Sequence, residues 1–183
     1  DLGRDVAEAF MKASNEPAPL FLAVNAIKAS DEEVIEVLKS VRAEVRPISM
    51  PQIPLRGCFR VADPLILQHE SMRLLFDEGK LLVSDAASQM ISYLALPERE
   101  PEAFLEVGSG RGTKSILLQS EATRRYGHQL SLSALDSHEF KIKLLKKRME
   151  SYGVSLAHAY VGDARKLEGL LKQNFDAAFI DAP

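Results

Sequence analysis

The chain has 183 residues, a formal net charge of −3 and 46% hydrophobic side chains, enough for one medium domain or one domain with a small appendage. Its single cysteine, Cys58, excludes an internal disulfide framework and makes a reducing, cytoplasmic setting the simplest reading. No apolar run reaches the length of a membrane span, and the slightly acidic balance means that any polyanion must be met by a local basic face.

Taken in chain order, residues 5–14 read as the end of a helix closed by Asn15, Pro17 and Pro19. The chain opens at Asp1 without a methionine, so residues 1–16 are expected to be the tail of an upstream helical domain or a linker. Leu20 to Ile27 is a short apolar run with strand character. Ser30 followed by Glu33 is a capping-box pattern, and Val34, Ile35, Leu38 and Val41 recur behind it at helical spacing. Pro47, Pro51 and Pro54 break the chain, and residues 58–83 mix short apolar runs with turns, read as strands and one short helix. Residues 17–84 are thus expected to form a small α+β subdomain, followed by a helix over 85–96 that stops before Pro97.

From residue 103 the pattern becomes regular. Strands are expected at 103–107, 130–136, 156–163 and 176–183, with helices at 113–127, 138–153 and 164–174 between them. Gly127 is a plausible stop for the first helix, and Phe140, Ile142, Leu144, Leu145 and Met149 are assigned to the apolar side of the second. Strands alternating with helices imply βαβ units, a parallel sheet and a doubly wound α/β fold over residues 85–183. Ending on an apolar fourth strand leaves a bare edge, which further strands or a partner should cover.

The strongest chemical signal is Glu106, Val107, Gly108, Ser109, Gly110, Arg111 and Gly112, at the turn from the first of these strands into its helix. Glycines there permit positive φ and close approach of backbone to a ligand, and the helix N-terminus adds a positive dipole end. A bare tight turn is the alternative, which three alternating glycines behind an acid make the poorer account. Thr113 occupies the position where a dinucleotide fingerprint needs glycine, which argues against an oxidoreductase. Asp136, Asp163 and Asp181 end the next three strands. Ligands of open α/β sheets lie outside those strand ends, where an acid can hold ribose hydroxyls or accept from an adenine amino group. Seen alone, Asp136 and Asp163 serve equally well as helix caps. Lys114 opposes the helix dipole, which asks for a partner anion, Asp181 or a phosphate. The basic run from Lys141 to Arg148 is more simply a solvated helix face than an RNA-facing patch. His69, His128, His138 and His158 lack metal-ligand spacing, and Cys58 is read as structural.

Over residues 17–183 the chain resembles the Sun/Fmu group of RNA cytosine-5 methyltransferases. The resemblance is carried by residues 17–25 (PAPLFLAVN), residues 83–89 (VSDAASQ), the glycine loop with Lys114, then Asp136, residues 162–164 (GDA) and residues 181–183 (DAP). It implies a Rossmann-like class I methyltransferase sheet with its first four strands present, S-adenosyl-L-methionine as cofactor and RNA, ribosomal RNA in the best-known members, as substrate. In it, Glu106, Gly108, Ser109, Gly110, Arg111, Gly112, Thr113 and Lys114 would wrap the methionine and ribose part of the cofactor. Asp136 would hold the ribose, Asp163 the adenine, and Asp181, with Lys114 nearby, would sit beside the methyl group and the target cytosine. The small N-terminal part would help grip RNA. This chain departs from the group in having residues 108–115 (GSGRGTKS) in place of Cys-Ala-Ala-Pro-Gly-Gly-Lys-Thr, and Ala23 in place of an arginine. The group also continues Asp-Ala-Pro with a cysteine and carries a nucleophilic cysteine further on; neither is in this sequence, so the stretch given is expected to stop short of them. In that chemistry a thiolate adds to C6 of cytosine so that C5 can accept the methyl group. Two rivals remain open at this stage: a methyltransferase of the same fold with another substrate, and a non-catalytic RNA-binding module.

Overall fold

The computed structural model of the protein describes residues 3–16, 18–49 and 53–181. Pro17, Pro51, Ala182 and Pro183, which figure in the sequence reading, lie outside them. The N-terminal helix α1 (Arg4–Ser14) buries none of its residues and leaves Val6, Phe10 and Met11 exposed.

The first sheet is antiparallel, with β1 (Leu20–Val24), β2 (Val45–Pro47), β3 (Cys58–Val61) and β4 (Leu81–Val83) in the order β2-β3-β1-β4. Side chains alternate across it, as strand geometry requires. Leu22, Val24, Phe59 and Val61 point to one face, where Val34 and Leu38 of α2 (Asp31–Ser40) and Met72 and Leu75 of α3 (Glu70–Asp77) close a core over them. Ser30 caps α2, its Oγ accepting from Glu33 N at 3.1 Å. The reciprocal half of the capping box is missing, because the Glu33 carboxylate pairs with Lys80 Nζ at 2.8 Å. The expected strand over 20–27 ends early, at Val24, because Asn25 turns the chain and takes Ile27 N onto its own Oδ1. Pro47 does not break the chain but closes β2, an edge strand, where its lack of an N–H is harmless. Residues 58–83 hold a 3₁₀ turn, Pro64–Gln68, as well as the single expected helix.

The second sheet is parallel, with β5 (Phe104–Val107), β6 (Leu132–Asp136), β7 (His158–Val161) and β8 (Ala177–Ile180) in the order β7-β6-β5-β8. The chain therefore steps outward from β5 to β7 and returns to the far side of β5, which reverses the winding at the β5/β8 boundary. Phe104, Leu132 and Ala134 face α5 (Thr113–Tyr126) and α6 (Glu139–Tyr152), which share their cores through Ile116, Leu117, Leu118, Leu145 and Met149. Helix α4 (Ala86–Ala95), capped by Asp85 through Ser88 N at 2.7 Å, packs on α5. Gly127, at φ 85, ends α5 as the sequence suggests. β8 is an edge strand, with Ile180 67% exposed.

Two sequence expectations fail here. Phe140 and Leu144 are exposed, so the buried stripe of α6 is the narrower set Ile142, Leu145 and Met149. No helix forms over 164–174: the segment runs in turns, with Gly169 at φ 72. Its Leu167, Leu170, Leu171 and Phe175 do have helical spacing, yet they cover Leu105, Val107, Leu135 and Tyr160 on the sheet face opposite α5. Gly162 explains the difference, since a Cβ there would lie 2.4 Å from Leu170 Cδ2. Without that Cβ the leucine seats directly on the tip of β7, and a regular helix is not needed to bury the row.

The two sheets are joined by buried polar ties. Asn25 is fully buried, and its Nδ2 donates to Gly79 O and to Tyr152 O, both at 2.8 Å. Arg124 of α5 reaches Asp31 of α2 with two bonds, at 2.9 and 2.6 Å. The Asn25→Ala variant removes three hydrogen bonds and leaves two buried carbonyls unmet, for an expected loss of about 2–4 kcal/mol. Urea denaturation measures this, and a loss well below 1 kcal/mol would show that the tie is not what holds the sheets in register.

Candidate functional site

The carboxyl-terminal ends of the parallel strands bring most of the sequence candidates together. Glycines 108, 110 and 112 all adopt positive φ, at 81°, 56° and 84°, which side chains rarely tolerate. Their surroundings differ. A Cβ on Gly112 would lie 2.5 Å from Met149 Cε, so this glycine lets α6 pack close to the turn. A Cβ on Gly110 would meet nothing nearer than Gly108 O, at 3.9 Å, so that side of the turn opens onto space. Arg111 points to solvent, while Thr113 Oγ1 accepts from Arg148 Nη1 at 2.7 Å and ties the start of α5 to α6.

Asp136 ends β6 with only 5% of its surface exposed. Its Oδ2 accepts from Gly110 N at 3.0 Å and its Oδ1 from His138 N at 2.9 Å. Lys141 Nζ stands 3.8 Å away. Burial works against the charge, but the two backbone N–H groups and then Lys141 outweigh it and hold the carboxyl below its ordinary range. Asp181, at the tip of β8, pairs with Lys114 Nζ at 2.7 Å. That contact spans the β5/β8 boundary, where the winding reverses. Asp163 sits at the tip of β7 but is occupied by Arg165, whose Nη2 lies 2.7 Å from Oδ2 and whose N–H donates to Oδ1 at 2.9 Å. These contacts hold its carboxyl down at about 2. Asp163 therefore caps a turn rather than the helix that the sequence suggested. The basic run on α6 splits: Lys141 and Arg148 turn toward the site, whereas Lys143, Lys146 and Lys147 are exposed.

One participant escapes the sequence reading, and one that it named sits differently from the expectation. Asp85 caps α4; burial works against its charge, but the two Ser88 hydrogen bonds, and after them the charge of Lys114, keep its carboxyl low. Its signal lay in residues 83–89, where the cap position alone distinguishes it. Glu106 was read as part of the turn, but its side chain is fully buried behind it, Oε2 accepting from Ser115 Oγ at 2.5 Å. Among the described residues, its Oε1 and the buried Ser109 Oγ are without a hydrogen-bond partner. Two buried polar atoms left unmet behind an open glycine turn are a cost that core packing alone does not explain.

Burial pushes the Glu106 carboxyl from its ordinary 4.5 up to about 7; the Ser115 hydrogen bond opposes this, Asp181 adds to it and Lys114 subtracts. The folded chain thus keeps a proton that the unfolded chain releases. The resulting stability is fully present below pH 4.5 and is lost as pH rises through about 7. Burial places Glu121 at about 7 as well, so the two carboxyls act in the same window. In Glu106→Gln the fall in melting temperature between pH 5 and 8 is expected to be shallower than in the parent; an unchanged slope would remove Glu106 as a cause.

No family model matches the chain. The Bacillus subtilis protein named "Probable ribosomal RNA small subunit methyltransferase B" is 26% identical over 182 residues, 99% of this chain and 38% of that protein. The Enterobacter protein named "Ribosomal RNA small subunit methyltransferase F" is 23% identical over 177 residues, 96% of this chain and 35% of that protein. The chain thus spans under two fifths of the length of these curated relatives. Among solved structures, the one titled PH0851 superposes with a TM-score of 0.76 at 25% identity, covering 98% of this chain and 38% of that one. NSun6 from Pyrococcus horikoshii, solved with SFG, superposes with a TM-score of 0.75 at 15% identity, covering 99% of this chain and 67% of that one. Over nearly its whole length the chain is similar to the proteins named ribosomal RNA small subunit methyltransferases B and F, and its parallel sheet matches that of the class I methyltransferase fold.

Proposed function

We propose that this chain forms the cofactor-binding and RNA-facing part of an S-adenosyl-L-methionine-dependent methyltransferase acting on C5 of a cytosine in ribosomal RNA. The observation that carries the reading is the open positive-φ glycine turn at the tip of β5, flanked by Asp136 on one side and the Lys114–Asp181 pair on the other. Residues 85–183 serve as the cofactor core and residues 17–84 as an RNA-binding subdomain. The names of the curated relatives support the RNA substrate. An RNA substrate of that kind agrees with a cytoplasmic location, and no helix among the described residues is long and apolar enough to cross a membrane.

The residues present fit a nucleoside-bearing ligand. The open side of Gly110 accepts it, Glu106 Oε1 and Ser109 Oγ are unmet polar atoms beside it, and Asp136 has lone pairs left for ribose hydroxyls. Gly108 to Lys114 line the methionine and ribose part, and Asp163 reaches the adenine once Arg165 swings away. When bound, the cofactor supplies an electrophilic methyl group. Lys114 and Asp181 meet the edge of a cytosine that has left its stack, donating to its carbonyl and accepting from its amino group. Cys58 does not supply the thiolate that the reaction needs. It is 1% exposed, and burial, then the charges of Glu121 and Asp85, push its thiol up to about 11.

Calorimetric titration with S-adenosyl-L-methionine tests the reading. Asp136→Ala is expected to weaken binding about 10–100-fold, the worth of a charged hydrogen-bonding group. Asp181→Ala is expected to weaken cofactor binding less than Asp136→Ala does and to abolish methylation of single-stranded ribosomal RNA fragments by the full-length protein. Absence of cofactor binding by the parent protein at millimolar concentration sinks the proposal.

A further inference from the structure

The antiparallel sheet carries an arrangement that packing alone does not explain. Arg46 of β2 and Arg60 of β3 are directly opposite one another, and Phe21 of β1 is directly opposite Arg60 on its other side. The three side chains form one row across the sheet, on the face turned away from α2 and α3. Both arginines are exposed, Phe21 is half-buried, and among the described residues neither guanidinium has an ion pair or hydrogen bond. Like charges placed directly opposite across a ladder cost stability. The pair lines a groove of about 760 Å³ together with Pro19, Glu44 and Pro64. Glu44 is the one acid on that lining, and its carboxylate is more than 4.0 Å from both guanidiniums.

The row lies beside the site at the strand tips. Ala23, two residues along β1 and on the same face as Phe21, belongs to one core with Ile116 and Leu117 of α5, and Val24 O accepts from Ser120 Oγ. β1 and α5 therefore ascend together, and stepping back from Ala23 to Phe21 moves toward the first turn of α5, which holds Lys114. On the other flank, Ser84 N donates to Phe21 O, and Ser84 is followed by Asp85, which feels the charge of Lys114. With strands about 4.8 Å apart, Arg46 lies about 10 Å from Phe21 across the row.

We infer that the Arg46–Arg60 pair is a phosphodiester clamp for the RNA strand whose cytosine enters the Lys114–Asp181 site, with Phe21 as a stacking surface between clamp and site. The inference rests on the RNA reading above. A single phosphate bridging the two guanidiniums removes their repulsion and fixes the strand on the flank of the site where the target base enters. An aromatic beside two unpaired arginines is the pattern that single-stranded nucleic acid uses, bases on the ring and backbone on the cations. The acidic net charge of the chain gives this local pair added weight, since no general field draws RNA in.

Fluorescence anisotropy with a single-stranded RNA oligomer, taken over a salt series with the full chain, tests the clamp. Because the two arginines share one phosphate, the Arg46→Gln/Arg60→Gln double variant is expected to reduce the slope of log affinity against log salt by about 0.7, and each single variant by no more than that. S-adenosyl-L-methionine affinity should not change, and the melting temperature of the double variant should be equal to or above that of the parent, because a repulsion has been removed. Phe21→Leu is expected to weaken binding with the salt slope intact. If the parent binds RNA and the double variant binds with the same affinity and slope, the clamp is wrong while the RNA reading stands. If the parent binds cofactor but no RNA, both fall. Capture of an acidic peptide that depends on the two arginines, with RNA binding indifferent to them, also overturns the clamp.

Discussion

The carboxylate of Asp136 holds the tips of two adjacent parallel strands in a fixed relation. One oxygen takes the N–H of Gly110 from the turn after β5, and the other takes the N–H of His138 at the start of α6. A glycine turn with three positive-φ residues has little intrinsic preference for a single shape, because glycine loses more conformational freedom on ordering than any other residue. A buried, charged acceptor at 3.0 Å from its middle supplies that shape. Everything else at the site is placed with respect to this contact. The turn sets where α5 begins, the beginning of α5 sets where Lys114 reaches, and Lys114 meets Asp181 across the reversal of the sheet.

The same logic gives the three glycines separate tasks. Gly112 is required by packing, since Met149 occupies the volume of its Cβ, whereas Gly110 faces open space and is required by its φ and by whatever approaches from that side. Behind the turn, Glu106 is buried with one oxygen satisfied and the other not, an arrangement that costs free energy in a folded chain unless protonation or a ligand relieves it. Strain of this kind gathered at one end of an otherwise well-packed sheet is how a binding site differs from a core.

Much of this was legible in the sequence because it depends on local rules. Short apolar runs gave the strands, helical patterns gave α2, α5 and α6, the stop before Pro97 marked the end of α4, and Ser30, Gly127 and the strand-end acids marked where other elements begin and stop. What was not legible depends on contacts distant in sequence. Leu167, Leu170 and Leu171 repeat like a helix, yet Gly162 leaves a seat for Leu170, and Asp163 closes a turn on Arg165, so the segment is held as a loop. Phe140 and Leu144 look like core because spacing does not say how wide a stripe the neighbouring sheet will cover. The role of Asp85 and the opposition of Arg46 to Arg60 follow from strand register and from which helix ends meet, and neither is written in any one segment.

On the function proposed for the chain, the two halves of the site have opposite physical demands, and the geometry separates them. The cofactor half is preorganised. Asp136 is already fixed by two backbone N–H groups, so ribose hydroxyls need only take its remaining lone pairs, and little ordering is left to be done on binding. The target-base half must exchange partners. Asp181 keeps 40% of its side chain in solvent while paired with Lys114, so water can screen the two charges as they part and a base edge can be inserted between them. A dry pair at that position would resist separation, because each charge left alone in a buried setting carries a large desolvation cost. A rigid buried acid for the ligand that stays, beside a wet ion pair for the ligand that comes and goes, follows from placing one aspartate at the centre of the sheet and the other on its edge strand.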